Sequence, residues 1–521
     1  MKRYKAVVAI ICISLSLTAQ SEFDALKYLQ PNIFGTARYS AMAGAFGALG
    51  ADPSAIKDNP AGLGIYRSSE LSATMNVLSQ NSQVDWNRHS SSEGMFKAGF
   101  HQLSYIISST PSSKFSRSTG IKRSNWAFSY NRLKDFNRQL SAAGGRNVSA
   151  SVTDYIGYFT ADIPGDELYK TSNYDPYNNV TVPWISVVAA NAGLIREYVY
   201  DDTGETAYWQ TLLENNETVS PSYFLRESGY FDEYSLSWSG NFNNRVFLGA
   251  SVNIYDMKYQ INSEYKENFS VVGGMSLKNY LSSSATGVGF RVGGIFIPAD
   301  NIRIGASVQA PVIYTTKDIN YADVYYNHGA DNFGTIYTPE GDNNFKLQSP
   351  LVFNLSAALI QGKKGLIGIE YMNSSNNTAK FMNKNNNSFN YKYENDSIGA
   401  VFNAQHTVKL GGEYKVSNKF AIRAGYAYST EPVKSRMQKE MNPNTNRTDL
   451  EYMVPSSTSY ITGGIGYRDA DWAFDFAVVN KMYDETFYAY NINKVADGFK
   501  MPTAAVSTTN LSFIATVSLR F

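Results

Sequence analysis

Strict alternation of apolar and polar side chains, repeated along segment after segment, constrains this chain more than any other feature. In the last segment Leu511, Phe513, Ala515, Val517, Leu519 and Phe521 share one face. Ser512, Thr516, Ser518 and Arg520 take the other, and Ile514 breaks the rule. A period of two marks a β-strand with one apolar side. The pattern recurs at Leu71–Val77, Val246–Ile254, Ile302–Val308, Phe353–Leu359, Ile367–Tyr371, Val408–Tyr414, Phe420–Tyr428 and Trp472–Val478. Weaker candidates near 94–107, 124–136, 233–242, 275–297 and 457–467 bring the total to about fourteen, an even number, as bacterial membrane barrels require.

Loop lengths support an all-β transmembrane antiparallel barrel independently. Short connections such as Gly240 to Asn244, Pro298 to Asn301, Gln361 to Gly365, Val416 to Lys419 and Arg468 to Asp471 alternate with long ones. The long ones lie near 137–232, 258–275, 315–346, 373–403, 430–457 and 482–507, with 137–232 the longest. Short periplasmic turns and long extracellular loops are the asymmetry of an outer-membrane barrel. A soluble sandwich has no reason to sort its loops this way. Mean hydropathy is −0.30, which does not count against a membrane barrel, because lumen-facing residues dilute the lipid-facing ones.

Residues 1–19 read as a signal peptide. Lys2, Arg3 and Lys5 precede an apolar run from Ala6 to Leu17, and Thr18-Ala19-Gln20 is a plausible cleavage region. The run is shorter than the ~20 residues a spanning helix needs. The only cysteine, Cys12, lies in this run and reads as a small apolar residue of a removed segment rather than a lipid-attachment site. The mature chain then has no thiol for a disulfide, metal or nucleophile. A net charge of +1 gives no reason to expect nucleic acid.

Residues 20–66 differ in kind. Gly35 to Ala55 is dense in Gly and Ala, and Ile56-Lys57-Asp58-Asn59-Pro60-Ala61-Gly62-Leu63 follows. Small residues allow close backbone packing, and Pro53 and Pro60 break helices. Short helices joined by tight turns suit a plug inside the lumen of a barrel spanning 67–521.

This segment resembles the N-terminal hatch of the FadL/TodX family of outer-membrane barrels for hydrophobic compounds. The resemblance rests on the Ala-Gly run, on Ala51-Asp52-Pro53-Ser54-Ala55 and on Asn59-Pro60-Ala61-Gly62-Leu63 before the first strand. Two strand–turn–strand units, Gly293 to Pro311 and Lys415 to Pro432, are also similar in style. The resemblance implies a monomeric barrel of 14 strands occluded by the hatch, capture of long-chain fatty acid-like ligands near the outer loops, hatch movement, and lateral exit through the wall. It carries over Asn59, Pro60 and Ala61 as the hatch motif, but not the family's ligand-contact residues.

Val182 to Ile195 is the most apolar stretch outside strands and signal. It reads either as a loop helix packed under other loops or as a greasy capture groove, in which Trp184, Val187, Val188 and Leu194 would touch the ligand. Arg291, Arg303, Glu370, Lys409, Glu413, Arg423, Asp475 and Arg520 fall on inward faces. They read as a salt-bridged lumen wall that holds the plug, with a filter for charged solutes as the alternative. His89, His101, His328 and His406 show no metal-ligand spacing, and no G-x-S-x-G elbow is present. Neither an enzyme nor a cofactor is expected.

The reading is a passive outer-membrane transporter for hydrophobic small molecules. Its expected partners are that ligand, membrane lipid and lipopolysaccharide, and the barrel-assembly machinery through the strand ending in Phe521. The alternatives are a barrel accessory to protein secretion and a porin for hydrophilic solutes.

Overall fold

The structure is a computed structural model; it describes residues 21–29, 32–112, 120–199, 207–213, 217–271, 273–329, 332–384, 391–442, 444–495 and 497–521. The expected signal peptide lies outside the described residues. Fourteen antiparallel strands form the wall among these residues: β1 (Glu70–Trp86), β2 (His89–Ser109), β3 (Ile121–Asp135), β4 (Val219–Phe242), β5 (Val246–Phe269), β6 (Gly274–Ala299), β7 (Ile302–Gln309), β8 (Val352–Gln361), β9 (Gly365–Ser375), β10 (Ala404–Lys415), β11 (Phe420–Ser429), β12 (Tyr452–Arg468), β13 (Trp472–Tyr488) and β14 (Ala504–Arg520). Closure comes from β1 against β14, in register from Glu70↔Arg520 to Trp86↔Ala504.

The alternating faces take the two sides expected of them. Leu71, Met75, Leu248, Ile254, Ile304, Leu355, Phe474 and Phe513 point outward and are exposed, and Ser72, Thr74, Asn253, Asn354 and Thr516 point inward and are buried. Ile514 faces inward and packs against Ala37 and Ala41 of the inner segment. Its departure from the pattern is an apolar contact for the plug.

The strands run further than the sequence reading placed them. β4 begins at Val219 rather than near 233, and the expected long loop 258–275 is mostly strand, since β5 continues to Phe269 and β6 starts at Gly274. The expected loop 315–346 holds strands Ile313–Asn327, Phe333–Tyr337 and Gly341–Gln348. Within 137–232, Arg138–Ala143 is also strand and pairs with β4. The reason is visible on β5. Its outward residues are apolar through Ile254, then Asp256, Lys258 and Gln260 follow on the same face. Above the lipid the outward face is wet, so the apolar/polar contrast that marks a strand fades while the pairing continues.

Residues 21–29 and 32–66 lie inside the barrel. They form short helices α1 (Glu22–Leu26) and α2 (Ala37–Ala41) and the 3₁₀ turns Pro53–Lys57 and Pro60–Ile65. Helices α3 (Val152–Phe159) and α4 (Trp184–Asn191) lie in the longest loop, and α5 (Lys392–Val401) precedes β10.

Candidate functional site

The inner segment is built on side-chain caps. Thr36 Oγ1 accepts from Tyr39 N at 3.1 Å to start α2 and donates to both carboxylate oxygens of Asp52 at 2.8 and 2.9 Å. Asp52 accepts from Ser54 N at 2.9 Å, and Ser54 Oγ accepts from Thr36 N at 2.7 Å. The two turns are thereby tied together. Burial pushes the Asp52 carboxyl up to about 6, against the pull of Arg38, Thr36 and Ser54. Burial also brings the Lys57 ammonium down to about 8.

Asn59, Pro60 and Ala61 sit where the plug meets the wall. Asn59 Oδ1 accepts from Ala61 N at 3.0 Å, capping the second turn, and Asn59 Nδ2 donates to Gly47 O at 2.8 Å and to Gly294 O of β6 at 3.2 Å. Ala61 packs on Phe247 and Ile295. The wall makes room with glycine: a Cβ on Gly249 would come within 2.4 Å of Pro60 C, and one on Gly293 within 2.0 Å of Asn59 Oδ1. Across the lumen Gly411 and Gly425 do the same for Met42, at 2.4 and 2.5 Å.

The inward charges form ion pairs that reach the plug. Glu370 accepts from Gly47 N at 2.7 Å and from Lys409 Nζ at 2.8 Å, and Lys409 also meets Asp58 at 3.4 Å. Glu413 takes Arg38 of α2 at 2.9 Å and Arg423 at 2.7 Å, while Arg423 reaches Asp475 at 2.6 Å. Arg303 Nη1 donates to Leu49 O at 2.5 Å. Arg291 pairs with Glu233 at 3.1 Å and Arg520 with Glu70 at 2.8 Å, both within the wall.

Two cavities lie above the lower plug. The upper one, of about 280 Å³, is bounded by α1, β4–β6, β12 and β13; the lower, of about 150 Å³, by Tyr28, Leu29, Ile33, Tyr39 and the walls β8–β12. Asn32 and Lys481 border both. Lys481 Nζ donates to Asn32 Oδ1 at 2.7 Å. Lys134 lies against the Phe136 ring, 5.0 Å from its centroid. Among the described residues neither lysine has a carboxylate within 4.0 Å, although both line the upper cavity. The loop between β11 and β12 reaches the same cavity with Lys439, Arg447, Thr448 and Asp449. Its Arg447 is held by Asp449 at 2.6 Å and lies 3.6 Å from Asp24 of α1.

Val187, Val188 and Leu194 lie together in the apolar core of the loop cap, and Trp184, 4% exposed, meets the Tyr177 ring edge-on at 5.4 Å beside it. Trp184 N donates to Thr445 O of the inward loop at 3.2 Å. None of the four lines either cavity.

The wall has a break between β2 and β3. Their pairing covers only Gln102↔Asn131 to Ser109↔Ser124, although β2 stays paired to β1 up to His89. β3 shifts register against β4 between Arg132 and Lys134 and bends away. Higher up, bonds to the Arg138–Ala143 strand bridge the gap: Ser91 Oγ donates to the main-chain Ser141 O at 2.7 Å, and Gln139 Nε2 to Glu93 Oε1 at 3.1 Å. The plug closes the gap from inside. Asn32 N donates to Leu133 O at 2.8 Å, the Phe34 ring lies tilted against His101 with centroids 4.7 Å apart, and Lys57 Nζ donates to Phe34 O.

Sequence reasoning did not foresee the wall glycines, the two lysines, the inward loop or the gap. A signal for the glycines is present, since Gly249, Gly293, Gly411 and Gly425 occupy inward positions where neighbours are Ser, Arg, Lys or Glu.

Residues 233–452 match the family described as outer membrane protein transport protein (OMPP1/FadL/TodX). The fold is similar to that of the Pseudomonas putida toluene transporter TodX (TM-score 0.51, 12% identity, covering 94% of this chain and 99% of that one). It is also similar to that of a Pseudomonas aeruginosa FadL homologue (TM-score 0.54, 12% identity, covering 94% and 100%). No curated protein sequence matches the chain. At such identity the likeness is one of fold. The matched stretch is less than half of the chain; with the structural likeness it shows a closed β-barrel of the FadL/TodX fold.

Proposed function

We propose, for a chain with the FadL/TodX fold, passive uptake of hydrophobic small molecules bearing an acidic head, of the long-chain fatty acid kind. The ligand enters under the loop cap and sheds water in the upper cavity. Its carboxylate sits by Lys134 and Lys481, and its tail lies along Tyr28, Leu29, Ile33 and Phe231 in the lower cavity. Movement of the Asn32–Phe34 strip then clears the gap between β2 and β3, and the tail leaves sideways into the outer leaflet. Trp184, Val187, Val188 and Leu194 act in this scheme as the rigid roof that positions the inward loop, and Asn59-Pro60-Ala61 as the anchor about which the plug shifts. No chemical step or cofactor is required.

The single observation that supports this reading is the wall gap closed by plug residues rather than by a neighbouring strand. An unpaired strand edge facing lipid is costly, so a gap kept in the wall argues for use. The plug also stands across the lumen, as an open porin would not tolerate. Uptake of a radiolabelled long-chain fatty acid by cells expressing the barrel tests the proposal. Uptake without ion conductance in planar bilayers is expected. Lys134→Met/Lys481→Met should raise the half-saturating concentration about tenfold for the acid, corresponding to 1.4 kcal/mol, and leave the matching alcohol unchanged. Steady conductance without uptake would contradict it.

A further inference from the structure

Above the lipid, the wall continues upward as a tall sheet whose outer face no described residue covers. β5 and β6 rise into it, joined by Ile313–Asn327, which carries β7 onward past Pro311, and by Phe333–Tyr337, which folds back on its end. The inner face is firmly packed, with Leu277, Ala322 and Val324 buried in the loop core. The outer face carries a patch of exposed rings. Tyr321 and Tyr325 are 41% exposed, Phe333 61% and Tyr337 65%, and Tyr280 stacks on Tyr321 at 4.7 Å.

Register makes these rings one surface. Tyr321 is directly opposite Tyr280, Asp323 opposite Tyr337, and Tyr325 opposite Thr335. Directly opposed residues share a face and lie within ~5.5 Å of one another. Between the rings stand groups that donate and accept hydrogen bonds: Asn262, Ser282, Lys278 and Asp323 are opposite or beside the tyrosines, and Gln260 Nε2 donates to the Tyr280 hydroxyl at 3.3 Å. Rings set among hydroxyls, amides and charges are no apolar protein core turned inside out. They fit a ligand with flat C–H faces edged by hydroxyls, which is the chemistry of a saccharide.

We infer that this face binds the oligosaccharide of outer-leaflet lipopolysaccharide. What selects that occupant is continuity with the lipid-facing belt. The same strands expose Ile254, Val288 and Ile313 to lipid directly below, and Tyr321 lies eight residues beyond Ile313, roughly 27 Å along the strand at ~3.4 Å per residue. The face therefore flanks the barrel at the height of the sugars attached to the surrounding lipid. Lys258 on the same face, with no carboxylate within 4.0 Å among the described residues, complements their phosphates, while Lys278 is shared with Glu264 at 3.6 Å. A protein partner would have to displace that sugar layer to reach it. The inference does not rest on the uptake reading.

The test uses the full chain in detergent and core oligosaccharide released from lipopolysaccharide, with saturation-transfer NMR as readout. Transfer to sugar protons is expected with the native chain and a loss of about tenfold with Tyr321→Ser/Tyr325→Ser/Tyr337→Ser. Heat-modifiable gel migration reports whether the variant barrel is folded; should it not be, Phe333→Ser and Tyr337→Ser singly must each weaken transfer. Equal transfer in native and variant barrels, or none in either, overturns the inference. So does a photo-crosslinker at position 337 that captures protein but no lipopolysaccharide in intact cells.

Discussion

A Cβ has no place at several inward wall positions that face the plug, and this is where single residues decide whether the lumen is closed. Gly249 and Gly293 face the Asn59-Pro60 corner, and Gly411 and Gly425 face Met42, each too close for any side chain. Gly249→Val must therefore push the plug off the wall while leaving the strand's hydrogen bonds intact. Planar-bilayer recordings should find frequent openings in the variant and few in the native barrel; a silent variant with native fold would mean that the contact does not hold the plug. Asp52 adds a pH dependence. Its carboxyl, raised from 3.8 to about 6 by burial, holds its proton more tightly in the plug than in the open chain. The linked stability is full below about pH 4 and is lost as pH rises through 6. By the shift it is on the order of 3 kcal/mol. Hydrogen exchange at Ser54 N, corrected for intrinsic rate, should be slower at pH 5 than at pH 7.5, and Asp52→Asn should flatten that difference. The inward charges were legible from alternation alone, because a charge opposite a lipid face has only the lumen to go to. The glycines were not singled out, because an absent side chain does not say what presses against it.

The strands were legible only where lipid touched them. Below the membrane surface, outward positions must be apolar and inward ones polar, and the period stands out. Above it both faces of β4 and β5 carry polar groups, so about half of each of these strands read as loop. The apolar signal reappears in the cap, where α4 is buried on all sides. Trp184, Val187, Val188 and Leu194 are buried and line neither cavity, and sequence left both readings open because core and groove use the same residues. Trp184→Ala removes a large buried side chain and the bond from its Nε1 to Tyr177 O at 3.2 Å. A loss of about 3–5 kcal/mol is expected, concentrated in the cap. Limited proteolysis should cut within 144–218 far sooner in the variant, with the barrel fragment still intact; unchanged cleavage would show that the cap does not depend on this residue.

For the whole molecule, a stoppered cylinder was foreseeable from strand count, loop sorting and the small-residue segment. The position of the wall gap was not, because such a gap is a failure of two strands to pair, and pairing partners leave no mark in either strand's own pattern. The fold now joins these parts: caps fix the plug, ion pairs and glycines seat it, and its Asn32–Phe34 strip occupies the opening that β3 leaves by bending from β2. Passage should thus require that strip to move. The most direct measurement places cysteines at Phe34 and His101, whose rings are 4.7 Å apart, in a chain whose only native cysteine is Cys12. Oxidation should abolish fatty acid uptake and reduction restore it, with either single variant unaffected. Undiminished uptake through the cross-linked barrel would contradict a lateral route.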